Sequence, residues 1–319
     1  MDAVQDVIDR GSLSNSHMSR ARRLVVRLSA ASDQLPSSLF ITGVTGHDEQ
    51  PTFRGGFGDV YRASYGGNTV ALKRIRIFQL NTQSELKRIR LQFCREALVW
   101  RTLQHEYILP LIGIDRETFP LSFCMVSPWM KHGTVLKYLS QHRRANVDKL
   151  VAEGLGYLHS MNIVHGDLRG TNILVSDELN ACLADFGLTS VIAASSTSDT
   201  SSTNHAGSTR WLAPELMQPR AFGCDRCVRT PASDVYAFAC VCLELHTGRP
   251  PFLDLNLDAP VILKVIAGER PTRPDTAMSD DLWELVTAAW AQNFCDRPDI
   301  DTIIGSMRTK NAGVLPKQG

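Results

Sequence analysis

The apolar positions of this chain change period as the sequence is followed. An alternating stretch after Tyr61, a Gly66-Gly67-Asn68 turn and the run Val70-Ala71-Leu72-Lys73 predict a β-hairpin. The period then lengthens. Leu86, Ile89, Phe93, Ala97 and Trp100 recur at steps of three and four, which predicts a helix from about Ser84 to Leu103 with one apolar face. Leu136 to Gln141 reads as a short helix. Val147 to His159 reads as another, with Val147, Leu150, Val151, Leu155 and Leu158 on one face. Ile173-Leu174-Val175, turn chemistry from Ser176 to Asn180, and Ala181 to Ala184 predict a second, shorter hairpin. From Ser233 to Leu245 the chain is apolar almost all round, so that helix should be buried, with Gly248 and Pro250 stopping it.

The shorter hairpin carries candidate chemistry. Asp167 stands five residues before Asn172, and Asp185 follows thirteen after Asn172, so the hairpin would return Asp185 beside Asn172. An Asp and an Asn on adjacent strands suit magnesium, a hard ion held by oxygen together with substrate phosphates. Asp167, one loop away, could take a hydroxyl proton. Upstream, Arg54-Gly55-Gly56-Phe57-Gly58-Asp59-Val60-Tyr61 offers glycines whose N–H groups can approach phosphate oxygens, because no Cβ intervenes.

Taken in order, these segments resemble the protein kinases. His165-Gly166-Asp167-Leu168 with Asn172, followed by Asp185-Phe186-Gly187, is similar to H-R-D-L-x-x-x-N and D-F-G, with Gly166 in the arginine place. Gly55, Gly56, Gly58 and Val60 resemble the glycine-rich loop G-x-G-x-x-G-x-V, with Phe53 where the first glycine belongs, and Lys73 stands in the V-A-I-K position. Met125 to Gly133 resembles the hinge, and Trp211-Leu212-Ala213-Pro214-Glu215 the A-P-E segment. The likeness runs from Phe40 to Met307. Arg95-Glu96-Ala97-Leu98-Val99-Trp100, the segment His165 to Asn172 and Trp211 to Glu215 are most similar to the tyrosine-kinase-like group of serine/threonine kinases.

The resemblance implies an α+β, two-lobed protein-kinase fold. Residues 1–39 would be an N-terminal extension with a basic helix, 40–309 the catalytic domain and 310–319 a tail; within the domain the N-lobe takes 40–126, the hinge 127–133 and the C-lobe 134–309. It implies transfer of the γ-phosphoryl of Mg-ATP to a protein hydroxyl, with ATP and Mg2+ as cofactors. Lys73 would contact the α- and β-phosphates and pair with Glu96. Asp167 would be the base, Arg169 would steady the transferred phosphate, and Asn172 and Asp185 would hold metal. Gly55, Gly56 and Gly58 would cover the phosphates. Val60, Ala71 and Leu174 would sandwich adenine beside Ser127, Trp129 and Met130. Ser208 aligns with the hydroxyl that bonds the catalytic Asp, and Glu215 would pair with Arg297. A pseudokinase or nucleotide-binding scaffold is the alternative, carried by the missing first glycine and by a short helix. A tyrosine-specific kinase is disfavoured by Arg169 and Ser208.

Composition changes this picture little. At 319 residues and a net charge of +1, the chain has room for a two-lobed unit and nothing that points to nucleic acid. Eight cysteines lack the spacing of a secreted framework, and Cys224-x-x-Cys227 has no second pair to complete a zinc site. No apolar run could span a bilayer and no secretory signal opens the chain, so the expected partners exclude integral membrane and the expected compartment is the cytoplasm, with the nucleus as alternative. Arg20, Arg22, Arg23 and Arg27 surround Leu24, Val25, Val26 and Leu28, which reads as a solvated basic helix packed on the small lobe, with a membrane-surface or partner-binding helix as the alternative. The loop 190–209, rich in Ser and Thr, is either the target of an upstream kinase or a surface loop with incidental hydroxyls; Gly166, unable to receive a loop phosphate, bears on the choice. Finally, Val147 to His159 is short of the family's long helix by roughly six residues, about 9 Å of core helix. That shortage predicts a weakly stable large lobe, as in a truncated variant or a mis-joined coding sequence of an active kinase.

Overall fold

The computed structural model describes residues 1–311 apart from 12, 33, 55–57, 76–92, 94–95, 120–121, 123, 143–146, 186–189, 192–206 and 275–277. The chain forms two compact units, Met1–Met130 and Lys131–Gly319, which divide inside the segment expected to be the hinge.

In the first unit, helices α1 (Asp2–Asp9) and α2 (Asn15–Ser32) precede a mixed sheet. Helix α2 buries Met18, Val25 and Ser29 and leaves Leu24 47% and Leu28 37% exposed, so the apolar residues of the basic cluster divide between two faces. The sheet strands are β1 (Phe40–Ile41), β2 (Phe53–Arg54), β3 (Gly58–Tyr65), β4 (Asn68–Ile75), β5 (Gly113–Asp115) and β6 (Cys124–Pro128), in the order β1-β5-β6-β4-β3-β2. Among the described residues of this sheet, only β1 and β5 pair in parallel. The β3–β4 hairpin closes on Gly66 and Gly67 at φ 55° and 80°, a left-handed pair that side chains with a Cβ adopt at a cost. Register then decides which residues share a face, since opposed residues of antiparallel strands point the same way. Tyr61 opposes Leu72, Ala63 opposes Val70, and Leu72 opposes Val126; these five and Cys124 belong to one alternation, and all six are buried as the core of this sheet. The opposite face carries Val60 across from Lys73, and Ala71 across from Ser127. Helical residues 96–101 (α3) fall inside the predicted Ser84–Leu103 helix, whose first part lies largely outside the described residues.

The second unit contains helices α4 (Val135–Gln141), α5 (Val147–Ser160), α6 (Pro214–Met217), α7 (Pro231–Thr247), α8 (Asp258–Ile266), α9 (Asp280–Ala289) and α10 (Ile300–Asn311), with strands β7 (Ile163–Val164), β8 (Ile173–Val175), β9 (Ala181–Leu183) and β10 (Ser190–Val191). Strands β8 and β9 form the expected short hairpin, and β7 pairs with β10. Helix α7 is its centre. Every residue from Ser233 to Leu245 is buried, as the all-round apolar pattern requires. It starts two residues before the expected Ser233, because Thr230 and Ser233 form a reciprocal capping box and Pro231 occupies the first turn, where its missing N–H costs nothing. Gly248, at φ 67°, ends it.

Helix α5 has 14 residues, one more than expected, and packs on α10, α7, β7 and β9. Its buried face is wider than the predicted stripe. Asp148, Ala152, Gly154 and Gly156 are buried, while Leu150 is only half-buried, because several elements surround the helix rather than one. Gly156 shows how tight this is: a Cβ there would lie 2.7 Å from Ile304 Cδ1. In its first turn, Asp148 Oδ2 bonds His246 Nε2 at 3.0 Å, and Asp148 Oδ1 has no hydrogen-bond partner among the described residues.

Candidate active site

In the first unit the sheet register brings Val60, Ala71, Lys73 and Ser127 onto one face. Lys73 Nζ lies 3.2 Å from Glu96 Oε1, with the two side chains 15% and 7% exposed. Water screens a pair this enclosed poorly, so the carboxylate fixes the direction of the ammonium. At the sheet's edge, Trp129 donates its backbone N–H to Thr69 O at 3.2 Å, and its ring stacks on Phe53, centroids 6.1 Å apart. The Arg62 guanidinium lies over the same ring at 5.8 Å. The residue in the first-glycine place is thus part of an aromatic pair. Met130 is half-buried. Gly58 opens β3, whereas Gly55, Gly56 and Phe57 lie outside the described residues.

In the second unit the β8–β9 hairpin does what its spacing predicts. Ile173 opposes Leu183, and Ala184 N–H donates to Asn172 O at 2.9 Å, which sets Asp185 beside Asn172. Asn172 Nδ2 donates to both Asp167 O and Asp167 Oδ2, at 2.8 and 2.9 Å. Asn172 Oδ1, which accepts from Thr171 Oγ1 at 3.5 Å, and the Asp185 carboxylate are oxygen donors of the kind that a hard cation such as magnesium takes. Asp185 adopts φ 68°, a left-handed conformation that Asp tolerates better than most residues. Leu174 is half-buried on β8 and bridges to Thr134. Among the described residues no group of three or more His, Cys, Asp or Glu could hold a metal, Cys224 and Cys227 included. Phe186 and Gly187, and most of the loop 190–209, lie outside the described residues.

Buried charges from α7 hold the loop around Asp167. Asp234, almost fully buried, accepts from His165 N–H at 2.7 Å and Gly166 N–H at 2.9 Å, and bonds His159 Nε2 at 3.0 Å. Burial pulls the His165 imidazole below its usual value, against the opposing pull of Asp234, Asp167 and Asp185. Glu244, also buried, accepts from Gly170 N–H at 2.8 Å and Trp211 Nε1 at 2.9 Å; burial raises its carboxyl, and these two donors oppose the rise. Neither Asp234 nor Glu244 was a site candidate in the sequence. The available signal was a carboxylate inside a helix otherwise apolar all round, where a charge must find partners.

Arg169 and Ser208 meet in a contact that the sequence did not indicate. Arg169 Nη1 donates to Gly207 O at 2.8 Å and Ser208 Oγ at 3.2 Å, and its guanidinium lies 5.0 Å over the Trp211 ring. Both residues are therefore engaged with each other across the segment before α6. Glu215 and Arg297 form the expected pair, two parallel bonds of 2.7 Å in a buried setting. A pocket lined by Gly166, Asp167, Ser208, Trp211, Leu212 and Asp234 opens beside Asp167.

The model of one family, protein tyrosine and serine/threonine kinase, matches residues 50–307. This chain is a member of that family. Among similar proteins, the serine/threonine-protein kinase STY46 of Arabidopsis thaliana is 29% identical over 80% of this chain and 42% of its own length. The serine/threonine/tyrosine-protein kinase HT1 of the same plant is 28% identical over 77% of this chain and 61% of its own. The tyrosine-protein kinase SPK-1 of Girardia tigrina is 30% identical over 81% and 53%. The kinase chain thus spans less than two thirds of the length of each of these curated relatives. Its β-sheet unit and its mainly helical unit are the two halves of the protein-kinase fold, and no described helix is long and apolar enough to cross a membrane.

Proposed function

We propose that this kinase transfers the γ-phosphoryl group of Mg-ATP to serine or threonine hydroxyls of a protein substrate. The observation that carries the proposal is the hold of Asn172 on Asp167: one amide nitrogen fixes both the carboxylate and the backbone carbonyl of the candidate base. A carboxylate pinned at Oδ2 keeps Oδ1 to orient an incoming hydroxyl and accept its proton, an effect typically worth about 10²–10⁴ in rate.

The remaining roles are those that the family resemblance implies. Lys73, held by Glu96, would bind the α- and β-phosphates, and the N–H groups of Gly55, Gly56 and Gly58 would cover them. Val60, Ala71 and Leu174 would contact the adenine ring, with Ser127, Trp129 and Met130 along its edge. Magnesium, held through the oxygens of Asn172 and Asp185, would supply charge neutralisation at the phosphates. Arg169 would shape the acceptor side of the site through Gly207 and Ser208. The named relatives are serine/threonine, dual-specificity and tyrosine kinases, so a scaffold role gains no support from them. The test is an assay of the purified chain with Mg-ATP and a generic protein substrate, followed by phosphoamino-acid analysis. Phosphoserine or phosphothreonine is expected; phosphotyrosine alone would overturn the specificity.

A further inference from the structure

The peptide group that joins Gly166 to Asp167 is gripped at both ends. Its oxygen, Gly166 O, accepts from Arg229 Nε at 2.8 Å, and its N–H, that of Asp167, faces His165 Nδ1 at 3.3 Å. The peptide is planar, so its tilt sets the backbone torsion at Asp167 and with it the direction of the Cα–Cβ bond that carries the carboxylate. Residue 166 restrains this tilt less than any other residue type would. It is a glycine at φ 78°, with no side chain of its own and the widest backbone freedom.

Arg229 comes from the segment leading into α7, 63 residues further along. It is half-buried, and burial pulls its guanidinium below the ordinary value while Cys227, Asp167 and Asp234 favour the charged form. Asp234 takes the N–H of Gly166 from the other side at 2.9 Å. One acid and one base thus hold the two polar groups of a residue that cannot hold itself.

We infer that Arg229 is a positioning residue for Asp167, supplying from a distant segment the restraint that glycine at 166 leaves out. Its effect on rate rests on the phosphoryl-transfer reading above; its effect on the backbone does not. Released from Arg229, the Gly166–Asp167 peptide can tilt, and misplacing a catalytic group by about 1 Å costs on the order of 10²-fold in rate.

The experiment compares the wild-type chain with Arg229→Met, which keeps the stem and loses the donor, and Arg229→Lys, which keeps a cationic donor. Arg229→Met should lower kcat by roughly 10–100-fold while the KM for ATP stays within about threefold, because nucleotide binding does not use this peptide. Arg229→Lys should recover at least half of that loss on a logarithmic scale. Hydrogen exchange gives a second readout, in which the Asp167 amide should exchange faster in Arg229→Met than in wild type. If Arg229→Met does not fold, Arg229→Gln takes its place in every arm. Unchanged kcat with unchanged exchange at Asp167 would overturn the inference, as would a loss that leaves that exchange unchanged and is not rescued by lysine. Should Asp167→Asn transfer phosphate as fast as wild type, the kinase reading fails, and the exchange comparison alone decides the role of Arg229.

Discussion

The Glu215–Arg297 pair allows the strongest quantitative test of the second unit. Its two bonds of 2.7 Å lie in a buried setting, and Arg297 also donates to Ala291 O at 3.0 Å and Ala232 O at 2.9 Å and lies 5.1 Å over the Tyr236 ring. Glu215→Leu would leave a buried guanidinium without its counter-charge, and Arg297→Met would strand a buried carboxylate and two carbonyls. Removing one partner of such a pair costs about 3–5 kcal/mol, a large share of the roughly 5–15 kcal/mol that keeps an ordinary domain folded. For a unit of this size about 2–4 °C is lost per kcal/mol, so each single variant should melt roughly 6–20 °C lower. Arg297→Met should be the worse of the two, because it also gives up the carbonyl and ring contacts. The double variant Glu215→Leu/Arg297→Met removes both charges together and should recover much of the loss. Thermal unfolding of the four proteins, followed by circular dichroism, makes a complete cycle. Single shifts below about 2 °C, or a double variant as unstable as the sum of the singles, would refute the reasoning that this pair braces the unit.

Asp234→Ala strands three hydrogen-bonding groups, those of His165, Gly166 and His159, at about 1–3 kcal/mol each. It should lower urea stability by several kcal/mol, and a change under about 1 kcal/mol would mean that water replaces the carboxylate. Inserting two helical turns of apolar-periodic sequence after Asp148 should raise the melting temperature by several degrees and increase activity, since it would supply the roughly 9 Å of core helix by which Val147 to His159 falls short of the family's length. If the insertion lowers stability, the unit has repacked around the short helix and the predicted weakness is absent. Phosphatase treatment should change activity by no more than a few-fold, because Gly166 offers no cation to a loop phosphate; a hundredfold drop would reveal another receptor.

Local chemistry was legible in the sequence wherever partners lie close along the chain. The Gly66-Gly67 turn, the β8–β9 hairpin and the buried α7 each follow from a repeat or a turn signal within about twenty residues. The Lys73–Glu96 and Glu215–Arg297 pairs came instead from family resemblance, since no spacing rule joins residues 23 and 82 apart. Contacts with neither support were missed. Asp234 reaches back 69 residues to His165, Glu244 reaches 74 to Gly170, and Arg229 reaches 63 to Gly166. Arg169 shows the limit of a motif position: it suggested a phosphate contact, and gave no sign that the planar fork also reaches Gly207, Ser208 and the Trp211 ring. The start of α7 was read two residues late because capping depends on a reciprocal bond between Thr230 and Ser233, not on hydrophobic period.

The central claim is that Asp167 accepts the proton of a protein hydroxyl during phosphoryl transfer. The most direct measurement is the transfer rate from Mg-ATP to a protein substrate for wild type and Asp167→Asn, with nucleotide binding measured on the same samples. The account predicts a loss of about 10²–10⁴ in rate with binding nearly unchanged, because the base contacts the acceptor and not the nucleotide. Equal rates for the two proteins would contradict it.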